Sequence, residues 1–194
     1  MSRRVLVLNG HPDPAHRGLC QALADAYADG ARDAGHDVRR LDIATLDFAL
    51  LRSQASFETE APPPAIAAAQ QQILWADHLV VVFPLWLGDM PALLKGFLEQ
   101  ALRPGFAFTY RPRGFPVMHL KGKSARVIVT MGMPALVYRW FYRAHGVKAL
   151  KRNILGFVGY RPVRDTIVGG LGSRSPDSIK AALADVRALG RRAA

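Results

Sequence analysis

One stretch, Leu79 to Phe97 (LVVVFPLWLGDMPALLKGF), limits the possible folds of this chain more than any other. It opens with an unbroken apolar run, Leu79–Phe83, the pattern of a strand buried on both faces of a parallel sheet. Pro84 ends the run, because proline has no N–H to give to a sheet ladder. The loop Pro84-Leu85-Trp86-Leu87-Gly88-Asp89-Met90 follows, and a helix is predicted from Pro91 with Leu93, Leu94, Phe97, Leu98 and Leu102 on its apolar face. Such a loop lies beyond the carboxyl end of a central strand, where open α/β sheets bind ligands. It is apolar and aromatic where a solvent-exposed turn would be polar. Two readings stay open at this point: the loop lies against a flat ring, or Trp86 fills a core gap in an ordinary connection. Asp89 is expected to cap the helix.

Two further apolar runs, Val5–Asn9 (VLVLN) and Arg126–Met131 (RVIVTM), read in the same way. Helices are predicted over about 18–34, 65–75, 91–102 and 176–191, with Gly35 closing the first. Val38–Ile43 alternates weakly, and a last strand lies within Leu155–Val168. The region Thr45–Pro64 reads as a surface excursion covering part of a site, Arg103–Met118 as a Pro/Gly-rich aromatic segment, and Ala135–Arg152 as a long connection. Strands and helices thus alternate without internal repeats over a single domain, residues 1–194. That implies an α/β, doubly wound, five-stranded parallel sheet of flavodoxin-like order 2-1-3-4-5, with its switch point between strands 1 and 3. The loops after strands 1, 3 and 4 should meet on one edge. The first, from Gly10 to Gly18, is rich in Gly and Pro and leads into a helix N-terminus, good geometry for phosphate. It carries neither GKS/GKT nor GxGxxG, which argues against a P-loop NTPase or a Rossmann dehydrogenase.

The chain has 194 residues, a single cysteine and a net charge of +11. One cysteine excludes an internal disulfide and a cysteine-based metal cluster, and no metal site is expected. With no h-region before the first strand, the expectation is a cytoplasmic protein in which Cys20 is a buried structural thiol. No Asp or Glu falls between Glu99 and Asp165, while Lys and Arg recur from Arg103 to Arg164. Such a field draws in anions. Nucleic acid is not expected as a partner, because no helix-turn-helix, RNA-binding signature or zinc finger accompanies the charge.

The segments VLNGHPDP, VVFPLWLGDMPALLKGFLEQALRPGFAF and IVTMGMP together resemble the flavodoxin-like NAD(P)H:quinone oxidoreductases, both the DT-diaphorase type and the potassium-efflux ancillary type. The resemblance runs in order over nearly the whole chain. It implies non-covalent FAD or FMN, NAD(P)H as electron donor, a homodimer, and two-electron hydride transfer to quinones in a ping-pong sequence. By position it implies that His11, His16, Arg17, Gly18 and Leu19 hold the flavin phosphate. It further implies that Pro84, Leu85, Trp86, Leu87 and Gly88 line the isoalloxazine, and that Thr130, Met131, Gly132 and Met133 close its pyrimidine end. Tyr138 and His145 fall near the tyrosine and histidine that sit beside the reacting atoms in the DT-diaphorase enzymes, one residue further apart here. The same motifs would suit a flavin-bearing regulatory subunit of a membrane transporter or an electron carrier. Met131 and Met133, where the family often has Thr and Gly, make the third loop bulkier and more apolar.

Overall fold

A computed structural model describes residues 2–15 and 17–194. In chain order its elements are β1 (Arg4–Asn9), α1 (Leu19–Asp33), β2 (Asp37–Asp42), α2 (Gln54–Glu58), α3 (Pro64–Trp75), β3 (His78–Pro84) and α4 (Ala92–Ala101). They continue with β4 (Phe108–Thr109), β5 (Val117–Met118), β6 (Ser124–Thr130), α5 (Ala135–Trp140) and α6 (His145–Lys148). A π-helical stretch (Ala149–Leu155), α7 (Gly156–Val158), β7 (Val163–Val168) and α8 (Pro176–Arg192) complete the chain.

The main sheet is parallel throughout, in the order β2-β1-β3-β6-β7, and β4 pairs with β5 in a separate antiparallel hairpin. The three apolar runs are its central strands. Their residues alternate between two cores, which is why no polar position interrupts them. Leu6, Leu8, Val81, Phe83, Val127 and Val129 face the α3–α4 side, whereas Val5, Val7, Val80, Val82 and Ile128 face α1 and α8. Leu94 and Phe97 anchor α4 on the first face and are fully buried; truncating a buried Phe of this kind costs about 3–5 kcal/mol. Among the described residues, no helix is long and apolar enough to cross a membrane.

Several boundaries differ from the sequence reading. Pro84 is the last residue of β3, in register with Thr130, since the end of a strand tolerates a missing N–H. The Thr45–Pro64 excursion contains α2 and covers α4 rather than the predicted site. Phe48 meets Phe97 edge-on, and the Gln100 and Arg103 side chains donate to the Ala49 and Glu60 carbonyls. Only its start, with Ala44 and Thr45, borders the loop after β1.

Candidate active site

The loops after β1, β3 and β6 meet at the carboxyl edge of the sheet, on either side of the β1/β3 switch point. Gly10 sets how closely the first two approach. Its N–H donates to the Val82 carbonyl at 2.7 Å, and a Cβ there would lie 2.7 Å from Leu94 Cδ2 and 3.1 Å from Phe83 Cβ. Beyond it the chain is held by side chain–backbone bonds of the Asx type. His11 N–H donates to Asn9 Oδ1 (3.2 Å), Asp13 N–H to His11 Nδ1 (3.2 Å), and Ala15 N–H to Asp13 Oδ1 (2.9 Å). Because Nδ1 of buried His11 accepts, the neutral ring carries its proton on Nε2. Arg17 Nη1 donates to the Pro14 carbonyl at 3.1 Å. Gly18 is the N-cap of α1 and makes no side-chain cap, so the first-turn amides from Leu19 onward have no intrahelical acceptor. His16 lies outside the described residues. Beside this loop, Asn9, Asp13, Arg17, Gln21, Asp42 and Thr45 line a polar cleft of about 360 Å³.

The loop after β3 is a tight turn. Trp86 N–H donates to the Asp89 carbonyl (2.8 Å) and Asp89 N–H to that of Trp86 (3.0 Å). Both central residues are left-handed, Leu87 at φ 47° and Gly88 at φ 85°, the type I′ pattern. This conformation is costly for Leu87, whose side chain is fully exposed. Trp86 is half exposed and stands edge-on to His11, with ring centroids 6.2 Å apart. Pro84 and Leu85 are half buried behind the turn, and Leu85 N–H donates to the Thr130 carbonyl at 2.8 Å. Asp89 does not cap α4. The turn aims its carboxylate back at Met90 N–H (2.7 Å), and α4 starts behind Pro91 with no side-chain cap.

On the β6 side, Thr130 points its hydroxyl at Cys20 Sγ (3.0 Å) beneath α1, so its side chain faces away from the loops. Cys20 is buried, and burial pushes its thiol up to about 11. Met131 is buried, and its N–H donates to the Val168 carbonyl at 3.0 Å. Met133 packs on the core, while its carbonyl accepts Gly170 N–H at 2.8 Å. Gly132 is exposed, and a Cβ built on it meets no atom within 4 Å. That leaves open space at the end of β6 opposite the Leu87 turn.

Tyr138 and His145 occupy different situations. Tyr138 is buried; its hydroxyl donates to the Gly88 carbonyl (3.4 Å) and accepts Val147 N–H (3.3 Å). Burial raises its pKa, so it stays a neutral phenol. It fastens the β3 turn to α6 instead of facing open space. His145 is exposed and follows two left-handed residues, Arg143 (φ 53°) and Ala144 (φ 51°). Leu87, Gly88, Tyr142, His145 and Gly146 share a depression of about 370 Å³. Gly146 allows the closest approach of the two loops, since a Cβ there would lie 2.5 Å from the Gly88 oxygen. Asp165 ties this segment to β7 by accepting from Arg139 Nη2 (3.1 Å) and Lys151 Nζ. Burial pushes the Asp165 carboxyl up, but Lys151 and Arg139 outweigh it and hold it below the usual range. Sequence reasoning missed Gly146 and Asp165. The only local signal was a glycine inside a short helical stretch. Among the described residues, no cluster suited to a metal ion occurs.

Residues 3–189 match the protein family described as "Flavodoxin-like fold". An FMN-dependent NADH:quinone oxidoreductase of Shewanella amazonensis is 30% identical over 85% of this chain and 86% of its own length. Rat NAD(P)H dehydrogenase [quinone] 1 is 24% identical over 91% of this chain and 72% of its own. A Streptococcus mutans protein of known crystal structure superposes with a TM-score of 0.80 at 28% identity, covering 97% of this chain and 99% of that one.

Proposed function

The chain belongs to the flavodoxin-like fold family, and from that premise we propose that it is a flavin-dependent NAD(P)H:quinone oxidoreductase. The observation that carries the proposal is the Trp86-Leu87-Gly88 turn. It is apolar, exposed and left-handed, and it stands at the switch point across from the uncapped start of α1. When bound there, a flavin would take hydride from NAD(P)H and return it to a quinone or related acceptor.

The residues present fit such a group. The first-turn amides of α1 after Gly18, together with Arg17, suit its phosphate. His11 supplies an Nε2–H beside them. Trp86 and Leu87 offer a flat apolar wall backed by Pro84 and Leu85. The Gly88 amide and the backbone from Thr130 to Met133 supply fixed dipoles on the side where reduction places negative charge. The open space at Gly132 leaves room for a ring edge. His145 lies at the mouth of the depression and is the residue we assign to delivering a proton to the acceptor oxygen. Tyr138 holds the Gly88 carbonyl and acts as a positioning residue. FMN is the preferred flavin, on the strength of the Shewanella relative's stated dependence. The cationic 103–164 region favours recruitment of the anionic dinucleotide. Exposed Leu136, Trp140 and Phe141 support self-association into a homodimer, since so large an apolar surface is rarely left to water.

The test is direct. The purified protein should be yellow, alone or after adding FMN, should release flavin on denaturation, and should oxidise NAD(P)H with benzoquinone as acceptor. A protein that stays colourless with added FMN or FAD and leaves NAD(P)H unoxidised refutes the proposal.

A further inference from the structure

The β4–β5 hairpin is the one part of the fold for which the proposed reaction has no use. Its tip, Arg111-Pro112-Arg113-Gly114-Phe115, stands clear of two strands of two residues each. Gly114, at φ 85°, turns the chain so that Phe115 is 89% exposed. Behind the tip lies an open groove of about 640 Å³, floored by Met118, Phe157 and Val163 and rimmed by Lys151, Arg152 and Arg161. Among the described residues, Lys151 is the only cation of this face with an acidic partner, Asp165. Arg111, Arg113, Arg152 and Arg161 are exposed and form no ion pair.

An exposed phenylalanine and a group of uncompensated guanidiniums are each unfavourable in water, the first by apolar hydration and the second by self-repulsion. A partner that is both anionic and apolar relieves both. We propose that this hairpin and groove form a docking surface for an anionic phospholipid bilayer, with Phe115 entering the interface and the arginines meeting headgroup phosphates. A second copy of the chain does not suit this face, because a two-fold contact would lay like charge on like charge. Duplex nucleic acid would satisfy the charge but offers nothing apolar to Phe115 and the groove floor. The inference does not depend on the redox reading, although a bilayer is also where apolar quinones dissolve.

The experiment is co-sedimentation of the full chain at low salt with phosphatidylcholine vesicles, with and without phosphatidylglycerol. The protein is expected to pellet only with the anionic vesicles and to be released by added salt. Arg111→Gln/Arg113→Gln should lower partitioning about thirty-fold, and Phe115→Ser about ten-fold. Lys180→Gln/Arg191→Gln on α8 changes net charge equally and should leave partitioning unchanged; circular dichroism checks that each variant is folded. Equal loss in the α8 variant means that adsorption follows net charge alone and overturns the proposal. It is also overturned if the wild type does not pellet, or if the hairpin variants lose duplex DNA binding while keeping vesicle binding.

Discussion

Replacing Gly146 by alanine tests whether the two left-handed turns of the site act as one unit. Gly146 sits in α6 without a positive φ, so alanine meets no backbone strain there and the effect is steric. Its Cβ would lie 2.5 Å from the Gly88 oxygen and 2.9 Å from Asp89 Cα, whereas ordinary contact begins near 3.4 Å. Relief of the tighter contact needs a shift of about 0.9 Å, the difference between 3.4 and 2.5 Å. Both obstacles are backbone atoms of a turn closed at each end by the Trp86–Asp89 bonds, so the whole turn must move. Overpacking of this kind costs about 1–3 kcal/mol, or roughly 3–10 °C in Tm for a domain of this size. A displacement near 1 Å of residues that position a reacting group costs about 10²-fold in turnover. Calorimetry and steady-state NAD(P)H oxidation with benzoquinone read the two effects. Gly172→Ala is the control: a Cβ there meets nothing within 4 Å, and stability should change by less than about 0.5 kcal/mol. Wild-type Tm and turnover in Gly146→Ala would refute the coupling, and with it the role given to Tyr138.

Tyr138→Phe should cost about 1 kcal/mol, because the two hydrogen bonds it removes are long. Its kcat should fall no more than about ten-fold with an unchanged pH profile; a loss of about 10³-fold with a lost limb would assign the phenol to proton transfer. His145→Gln should lower kcat with quinone by about 10²-fold while flavin affinity, followed by fluorescence quenching, stays the same. Buried His78, between Tyr27 and Ser124, is held down to about 3 by burial and the nearby Arg3, Arg126 and Arg164. Below about pH 6.5 the unfolded chain protonates this histidine and the folded one does not. Its contribution is therefore complete above that pH and falls by about 1.4 kcal/mol per unit on acidification toward 3. Urea melts at pH 7 and pH 5 should show this loss, and His78→Gln should flatten the slope.

How much of this was legible in the sequence follows from the range of the forces involved. β1, β3 and β6 could be read because burial on both faces leaves an unbroken apolar run, and the switch point followed from strand order. Edge strands β2 and β7 are only half covered, with mixed burial along them, and their signal was correspondingly weak. The β4–β5 hairpin left no periodic trace. Its strands are two residues long and are held by packing, Phe108 standing edge-on to Phe157 at 4.8 Å. The π-helical stretch was invisible for a related reason, since a one-residue change in helical hydrogen bonding leaves composition untouched. The loops of the site were found by position, but which atoms they present was not. Thr130 turned to Cys20, Asp89 to its neighbour's amide and Tyr138 to Gly88, each through a short contact that propensity does not encode.

Leu87 shows how the site departs from local rules and what that departure does. A non-glycine residue in the left-handed region costs about 1–2 kcal/mol, and Gly88 beside it shows the cheaper choice for such a turn. The leucine recovers nothing from the fold, because its side chain is fully exposed. Its energetic return must come from something that covers it, and in the proposed reaction that is a flat ring or its partner substrate. Leu87→Gly separates the two contributions. Relief of the left-handed strain, less the extra unfolded-state entropy of glycine (about 0.4–1 kcal/mol), should leave stability equal to the wild type or up to about 1.5 kcal/mol higher. Loss of a side chain worth about 1.5–3 kcal/mol on burial should raise flavin Kd or acceptor KM by about 10- to 100-fold. Calorimetry gives the first quantity, and flavin titration with benzoquinone kinetics gives the second. If both Kd and KM are unchanged in a folded variant, nothing covers Leu87 during turnover, and the flat wall of the site must be sought on the Gly132 side instead.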